Sequence, residues 1–347
     1  MIIMVTGGSG FIGANFLNNF VPNYAQHQFI NIDKLTYAAN PLSLKAIEEL
    51  PNYHFEQVSV TDNNLLNEVF ERYNPDLVIN FAAESHVDRS IAGPAEFVNT
   101  NILGTFNLLE NCRKCWQGET NKLLLHVSTD EVYGTLGGVG YFTEETKYDP
   151  RSPYAASKAS SDHLVKSYFH TYRVPVIITN CSNNYGPFQF PEKLIPLMII
   201  NALEGQPLPI YGQGLNVRDW LYVEDHCRAI WLTAEKGKPG ETYNIGGNNE
   251  WQNIDLVNKL CEVLAEENGY SHDHYKKLIT YVKDRPGHDF RYAIDSSKIN
   301  GEIGWGPHES FESGLRKTVR WYLTNQEWVE SVKTGEYKKW IAQNYNL

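Results

Sequence analysis

The amino-acid sequence predicts an α/β fold in which a doubly wound parallel sheet is joined by a smaller mixed α/β domain. Three observations lead there. Short β-rich apolar runs alternate with helical stretches through the first half of the chain, the order that builds a parallel sheet covered by helices on both faces. After Thr179 the texture changes to a turn-rich stretch, Asn180 to Pro187 (NCSNNYGP), and then to Trp, Tyr and Arg scattered between short elements. At 347 residues the chain exceeds the roughly 250 to 300 at which single cores usually divide. One domain is therefore expected over residues 1–183 and a second over 184–347, with 216–245 crossing back to the first.

Strands are expected, in order, at Ile2–Val5, Gln28–Ile32, His54–Val58, Leu77–Phe81, Lys122–Val127 and Val174–Thr179. A further strand, Tyr243–Ile245, follows a helix expected from Asp225 to Glu235. Two intervening helices look long: one from Pro94 to Trp116, and one from Ser152 to Tyr172 whose Ser-Pro start suits an N-cap and first helical position. Both are candidates for packing against a partner.

Apolar residues at 42% and charged residues at 20%, with ordinary glycine and proline frequencies, exclude a disordered or fibrous chain. The formal net charge of −11 gives no overall field for tracking nucleic-acid phosphates, so any bound polyphosphate must meet locally placed cations. The apolar run Leu194–Ile200 falls far short of the about 20 residues of a membrane span and contains Pro196. Met1 to Val5 passes straight into Thr6-Gly7-Gly8 and reads as a strand rather than a signal peptide. A cytoplasmic protein that binds neither membrane nor nucleic acid is expected. The five cysteines are an odd number for a disulfide framework. Cys112 and Cys115 have the spacing of a half-site but lack a second pair, so two thiols on a helix, and no metal, are expected.

The first strand runs into Thr6-Gly7-Gly8-Ser9-Gly10-Phe11-Ile12-Gly13, and a helical pattern follows. In that context Gly7 permits the tight turn, Gly10 the close approach of backbone to a pyrophosphate, and Gly13 close helix-to-strand packing. The exposed helix N-terminus offers N–H donors to phosphates. Asp33 lies about 20 residues beyond Gly13, at the end of the second strand, where a carboxylate accepts both ribose hydroxyls and repels a 2′-phosphate. A Rossmann-type domain binding NAD rather than NADP is expected, with Lys34 tempering the preference slightly.

Tyr154 and Lys158 are four apart on an expected helix, so an ammonium stands near a phenol and can lower its pKa toward the range of a useful base. With 21 tyrosines in the chain, that spacing alone is weak. It gains weight from the nucleotide motif and from the turn Ser128-Thr129-Asp130-Glu131 after the fifth strand, where ligands of such sheets bind. The adjacent carboxylates have two readings: solvated loop charges, or a pair facing substrate whose repulsion separates their pKa values into one acid and one base.

Thr129-Asp130-Glu131, Tyr154 to Lys158 (YAASK), Ala82 to Ser90 (AAESHVDRS) and Asp284 to Asp289 (DRPGHD) together closely resemble the dTDP-glucose 4,6-dehydratase family of extended short-chain dehydrogenase/reductases. Further matches are Asn180 to Pro187, Pro191 to Pro196 (PEKLIP), Val217 to Asp225 (VRDWLYVED) and a tail around Trp321 to Trp340, so the resemblance runs nearly end to end. It implies that Tyr154 takes the proton of the sugar O4, Glu131 removes the C5 proton, Asp130 protonates the departing C6 hydroxyl, Thr129 bonds the O4 region and Lys158 orients the ribose, NAD being recycled. It further implies an NAD site of Phe11, Ile12, Asp33, Lys34, Leu35, Thr36, Phe81, Ala82, Ala83, Glu84, Ser85, Thr100 and Asn184. Ser85, Asn183, Lys193, Leu194, Pro209, Ile210, Tyr211, Arg218, Asn253, Asp284, Arg285, Pro286, Gly287 and His288 match the nucleotide-sugar site, with Arg218 and Arg285 suited to a pyrophosphate. A homodimer through the two long helices is implied as well. One departure concerns adenine: where the family usually has an aspartate after the third strand, this chain has Ser59, followed by Val60. An epimerase or decarboxylase of the same fold is the competing reading, and a silent NAD-binding sensor a third.

Overall fold

The computed structural model describes residues 1–119, 121–284 and 287–333. Within them the strands are β1 (Ile2–Thr6), β2 (Gln28–Ile32), β3 (Tyr53–Glu56), β4 (Leu77–Asn80), β5 (Leu123–Thr129), β6 (Val176–Cys181), β7 (Asn183–Tyr185), β8 (Leu208–Tyr211), β9 (Val217–Tyr222), β10 (Thr242–Ile245), β11 (Glu250–Gln252) and β12 (Ile279–Val282). Seven form one parallel sheet in the order β10-β6-β5-β4-β1-β2-β3. The order reverses at β1, between β2 and β4, which opens a crevice at the carboxyl ends of the strands. Both faces of the sheet are apolar because helices cover both. Ile3, Val5, Ile79 and Leu125 pack with Phe16 and Leu17 on one face, and Met4, Val78 and Leu124 with Leu66, Phe70 and Leu108 on the other.

All seven expected strands are present, displaced at their ends by a residue or two. The helix expected from Pro94 to Trp116 is instead three pieces: α-helix Pro94–Phe97, a widened π turn Val98–Leu103, and α-helix Gly104–Cys115. The wide turn brings Asn101 to the loop after β4, where it accepts from the Glu84 N–H at 2.8 Å and donates to the Glu84 carbonyl and Ser157 Oγ. Helix Pro153–Tyr172 starts as expected, Ser152 Oγ accepting from the Ala155 N–H at 3.0 Å.

β9 pairs with β7 and β11 in a small sheet, while helix Val223–Lys236, β10 and the later helix Ser297–Ile303 with Trp305 pack with the main layer. Trp231 of helix Val223–Lys236 stacks on Phe20, ring centroids 4.7 Å apart. A second core gathers around helices Leu194–Leu203, Asn253–Asn268 and Phe311–Thr324, with Tyr185, Trp220 and Tyr322 in it. No helix among the described residues is long and apolar enough to cross a membrane.

Candidate active site

A cleft opens at the carboxyl ends of the strands. Gly7 leaves β1 with φ +71°, and a Cβ there would lie 2.7 Å from the Ala82 backbone nitrogen. A Cβ on Gly13 would collide with the Gly7 carbonyl, whereas one on Gly10 would meet only that carbonyl, at 3.3 Å, so Gly10 is open toward the cleft. Helix Phe11–Phe20 begins there and presents its first N–H groups. Asp33 closes β2 and accepts from the N–H groups of Ser9 at 3.0 Å and Leu35 at 2.8 Å, while burial pushes its carboxyl pKa up. Lys34 turns to Glu84 at 3.8 Å and Thr100 at 3.4 Å.

Of the expected cofactor residues, Gly7, Gly10, Phe11, Ile12, Gly13, Asp33, Lys34, Thr36, Val60, Phe81 to Ser85, Thr100 and Asn184 line this cleft. Leu35 and Ser59 are not among the lining residues. Leu35 holds the turn after β2 at φ +58°, and Ser59 Oγ bonds Thr61 Oγ1 at 2.7 Å, leaving Val58 and Val60 to face the cleft.

The same cleft brings together Thr129, Asp130, Glu131, Tyr154 and Lys158, with Asn183 and Lys193. A single 3₁₀ turn, Asp130–Tyr133, follows β5, with Thr129 Oγ1 accepting from the Glu131 N–H at 3.3 Å. Asp130 is only 1% exposed, and its Oδ2 has no hydrogen-bond partner among the described residues. Burial, the Glu131 carboxylate and Asp219 hold its carboxyl well above the ordinary range, against the pull of Arg218. Glu131 is less buried. Burial, Glu131 and Cys181 likewise raise the Tyr154 phenol, opposed by a hydrogen bond from Thr129. Lys158 donates to the Val127 carbonyl at 2.8 Å.

A family described as GDP-mannose 4,6 dehydratase matches residues 4–318. The chain belongs to that dehydratase family. The dTDP-glucose 4,6-dehydratase of Salmonella typhimurium is 55% identical over 99% of each chain. Two solved dTDP-glucose 4,6-dehydratases match over 96% of this chain and all of theirs. That of Bacillus anthracis, in complex with NAD, is 48% identical with a TM-score of 0.86. That of Streptomyces venezuelae, with NAD bound, is 43% identical with a TM-score of 0.89.

In this member of the dehydratase family Asn183 and Lys193 line the cleft, while the expected residues from Leu194 to His288 that are described are not among its lining. Lys193 donates to the Ser85 carbonyl at 2.8 Å across the cleft mouth, and Asn183 has a buried Oδ1 with no partner among the described residues. Arg218 is buried over the Tyr292 ring and donates to the carbonyls of Val217, Asp289 and Phe290. Asp284 and His288 bond at 2.7 Å, and the Tyr211 hydroxyl donates to Asp88 at 3.4 Å. Pro209 and Ile210 lie in β8 beside β12, Leu194 opens its helix, and Asn253 opens another with its Oδ1 buried. Gly287 has φ +66°. Arg285, Pro286 and the tail beyond Lys333, including Trp340, lie outside the described residues.

Sequence reasoning missed Glu192 and the pair His126 and Asp162. Glu192 lines the cleft and accepts from the Tyr37 hydroxyl at 3.0 Å and Arg89 Nε at 2.8 Å. A carboxylate inside the matched segment Pro191 to Pro196 was the available signal. For His126 it was a lone imidazole inside the apolar run Leu123 to Val127.

Proposed function

We propose that the chain catalyses the NAD-dependent dehydration of dTDP-glucose to dTDP-4-keto-6-deoxyglucose. The observation that carries this reading is the pair Asp130 and Glu131, two carboxyl groups of contrasting burial on one cleft with Tyr154. An epimerase or decarboxylase uses oxidation at C4 alone and has no need of an acid beside a base at C5 and C6. The names of the 55%, 48% and 43% identical relatives support the same reaction.

NAD suits the glycine turn, whose open face at Gly10 accommodates a pyrophosphate, and Asp33, whose carboxylate keeps lone pairs for ribose hydroxyls. When bound, it would supply a hydride acceptor at C4 of the sugar and a donor at C6. Tyr154 takes the O4 proton, Thr129 bonding beside it. Its raised phenol needs a compensating cation, and Lys158, one helical turn on, is placed to be one. Glu131 then draws the C5 proton, acidified by the new ketone. Asp130, which burial and its neighbours keep protonated, gives its proton to the C6 hydroxyl as that group leaves as water.

Ser85, Asn183 and Lys193 are assigned to the sugar, and Arg218, Tyr211, Asp284 and His288, with Arg285, to the nucleoside diphosphate. Residues 1–183 with 223–245 would form the NAD unit and the remainder the sugar-nucleotide unit. A homodimer would bury Val98, Leu103 and Phe106, which are 51%, 44% and 40% exposed on the π turn and the helix after it, together with Tyr172 of the second long helix. A cytoplasmic location fits five cysteines that are all free thiols.

The test is incubation of the purified protein, without added cofactor, with dTDP-glucose and separately UDP-glucose, following product mass and the alkaline absorbance of a 4-keto sugar. Loss of one water from dTDP-glucose is expected. A sugar that isomerises at constant mass, even after NAD is added, would transfer the chain to the epimerases.

A further inference from the structure

Beneath Lys158 lies a buried polar system that the reaction above does not use. Thr6, Asn80 and His126 stand in register on three adjacent strands, Thr6 opposite Asn80 and Asn80 opposite His126. All three are buried. Thr6 Oγ1 donates to Asn80 Oδ1 at 2.6 Å, which sets the amide so that Asn80 Nδ2 donates to His126 Nδ1 at 3.1 Å. An imidazole that accepts at Nδ1 carries its proton on Nε2. Burial and the nearby Lys158 bring the His126 pKa down to about 4, so the ring is neutral at pH 7.

His126 Nε2 lies 3.4 Å from Asp162 Oδ1, a buried oxygen with no hydrogen-bond partner among the described residues, and Lys158 Nζ stands 3.5 Å from the same nitrogen. A protonated Nε2 cannot accept from the ammonium, which accounts for its bond to the Val127 carbonyl. Asp162 is 0% exposed, and its Oδ2 accepts from Ser128 Oγ at 2.8 Å and the Tyr148 hydroxyl at 3.0 Å. Lys158 and Asp162 are four apart on one helix, a spacing at which opposite charges ordinarily meet. Here each of them lies against His126 Nε2.

We propose that Asp162 and His126 are positioning residues for Lys158: Asp162 is the fixed counter-charge that keeps the buried lysine an ammonium, and His126 is the spacer that stops it from collapsing onto that carboxylate. The proposal rests on Lys158 belonging to the active site. Burial alone depresses the Lys158 pKa, and Asp162 leads the opposing influences, followed by Cys181 on β6. Tyr133 and Tyr148 are the further titratable groups that face Asp162.

The experiment uses the full chain with ¹³C-labelled lysine, the Lys158 resonance being identified by its loss in Lys158→Met. In Asp162→Asn the Lys158 titration midpoint is expected to fall by about one unit or more, since an opposite charge is removed. In His126→Ala it is expected to rise, because the ammonium can now reach Asp162. Both variants are expected to lose on the order of 10²-fold in kcat through misplacement of Lys158. General loosening of the fold does not move one resonance in opposite directions. Midpoints that stay put in both variants, or move the same way, overturn the proposal. If Asp162→Asn fails to fold, His126→Ala decides alone, an unmoved midpoint counting against it. The midpoint is read without substrate, so a wild-type protein inactive on dTDP-glucose would refute the reaction and leave this result standing.

Discussion

Asp130 and Glu131 are covalent neighbours on one cleft in different surroundings, the first buried and the second half-buried. Glu131→Gln keeps the shape of the site and removes the base. Its turnover is expected to fall by on the order of 10² to 10⁴, with bound NAD, measured after denaturing the protein, unchanged. Near-normal turnover would remove Glu131 from the mechanism. Asp130→Asn separates activity from stability. Asp130 has its folded pKa raised, so its contribution to stability is present below the ordinary carboxylate range and is lost as pH rises through the folded value. The asparagine variant is therefore expected to lose turnover yet melt higher than the parent, with a gap wider at pH 8 than at pH 5. Thermal melts at the two pH values check this, and a gap that narrows with pH contradicts it.

At the scale of elements, the glycine turn joins β1 to its helix so tightly that the site depends on one missing methyl group. Gly7→Ala adds a Cβ 2.7 Å from the Ala82 nitrogen in a backbone region that L side chains avoid. The variant is expected to purify with little NAD and a lowered Tm, read from the nucleotide released on denaturation and from a thermal melt. This turn was legible in the sequence because glycine has few other reasons to recur at that spacing after a strand. The strands were legible because each is a short apolar run between turn residues. The π turn at Val98–Leu103 was not, since it arises from what Asn101 reaches in the tertiary structure and not from any local preference. The same holds for Asp162, which reads as a polar helix residue until Ser128, Tyr148 and His126 are seen around it. Tyr154 and Lys158 were found by their spacing, but the spacing alone does not reveal that Lys158 bonds a strand carbonyl.

For the molecule as a whole, the chain passes from the main sheet into the small sheet at β7 and comes back through helix Val223–Lys236 to β10, an edge strand of the main sheet. On the proposed dimer face, Phe106→Glu places a charge among the exposed apolar side chains. Sedimentation at micromolar concentration is expected to show a dimer for the parent and a monomer for the variant. A parent that sediments as a monomer would refute the dimer.

The row Thr6, Asn80 and His126 has a bearing on how such a sheet assembles. Parallel strands far apart in sequence must find one another late, and apolar runs such as Ile2–Val5 and Leu123–Val127 offer little to distinguish one alignment from the next. A slip of one residue would turn one member of the row to the opposite face, among isoleucines and leucines, and strand the hydrogen-bonding groups of its neighbours. The hydrogen bonds of the three side chains thus favour this one alignment of β1, β4 and β5. Only a sheet in this alignment has a floor on which Lys158 can stand.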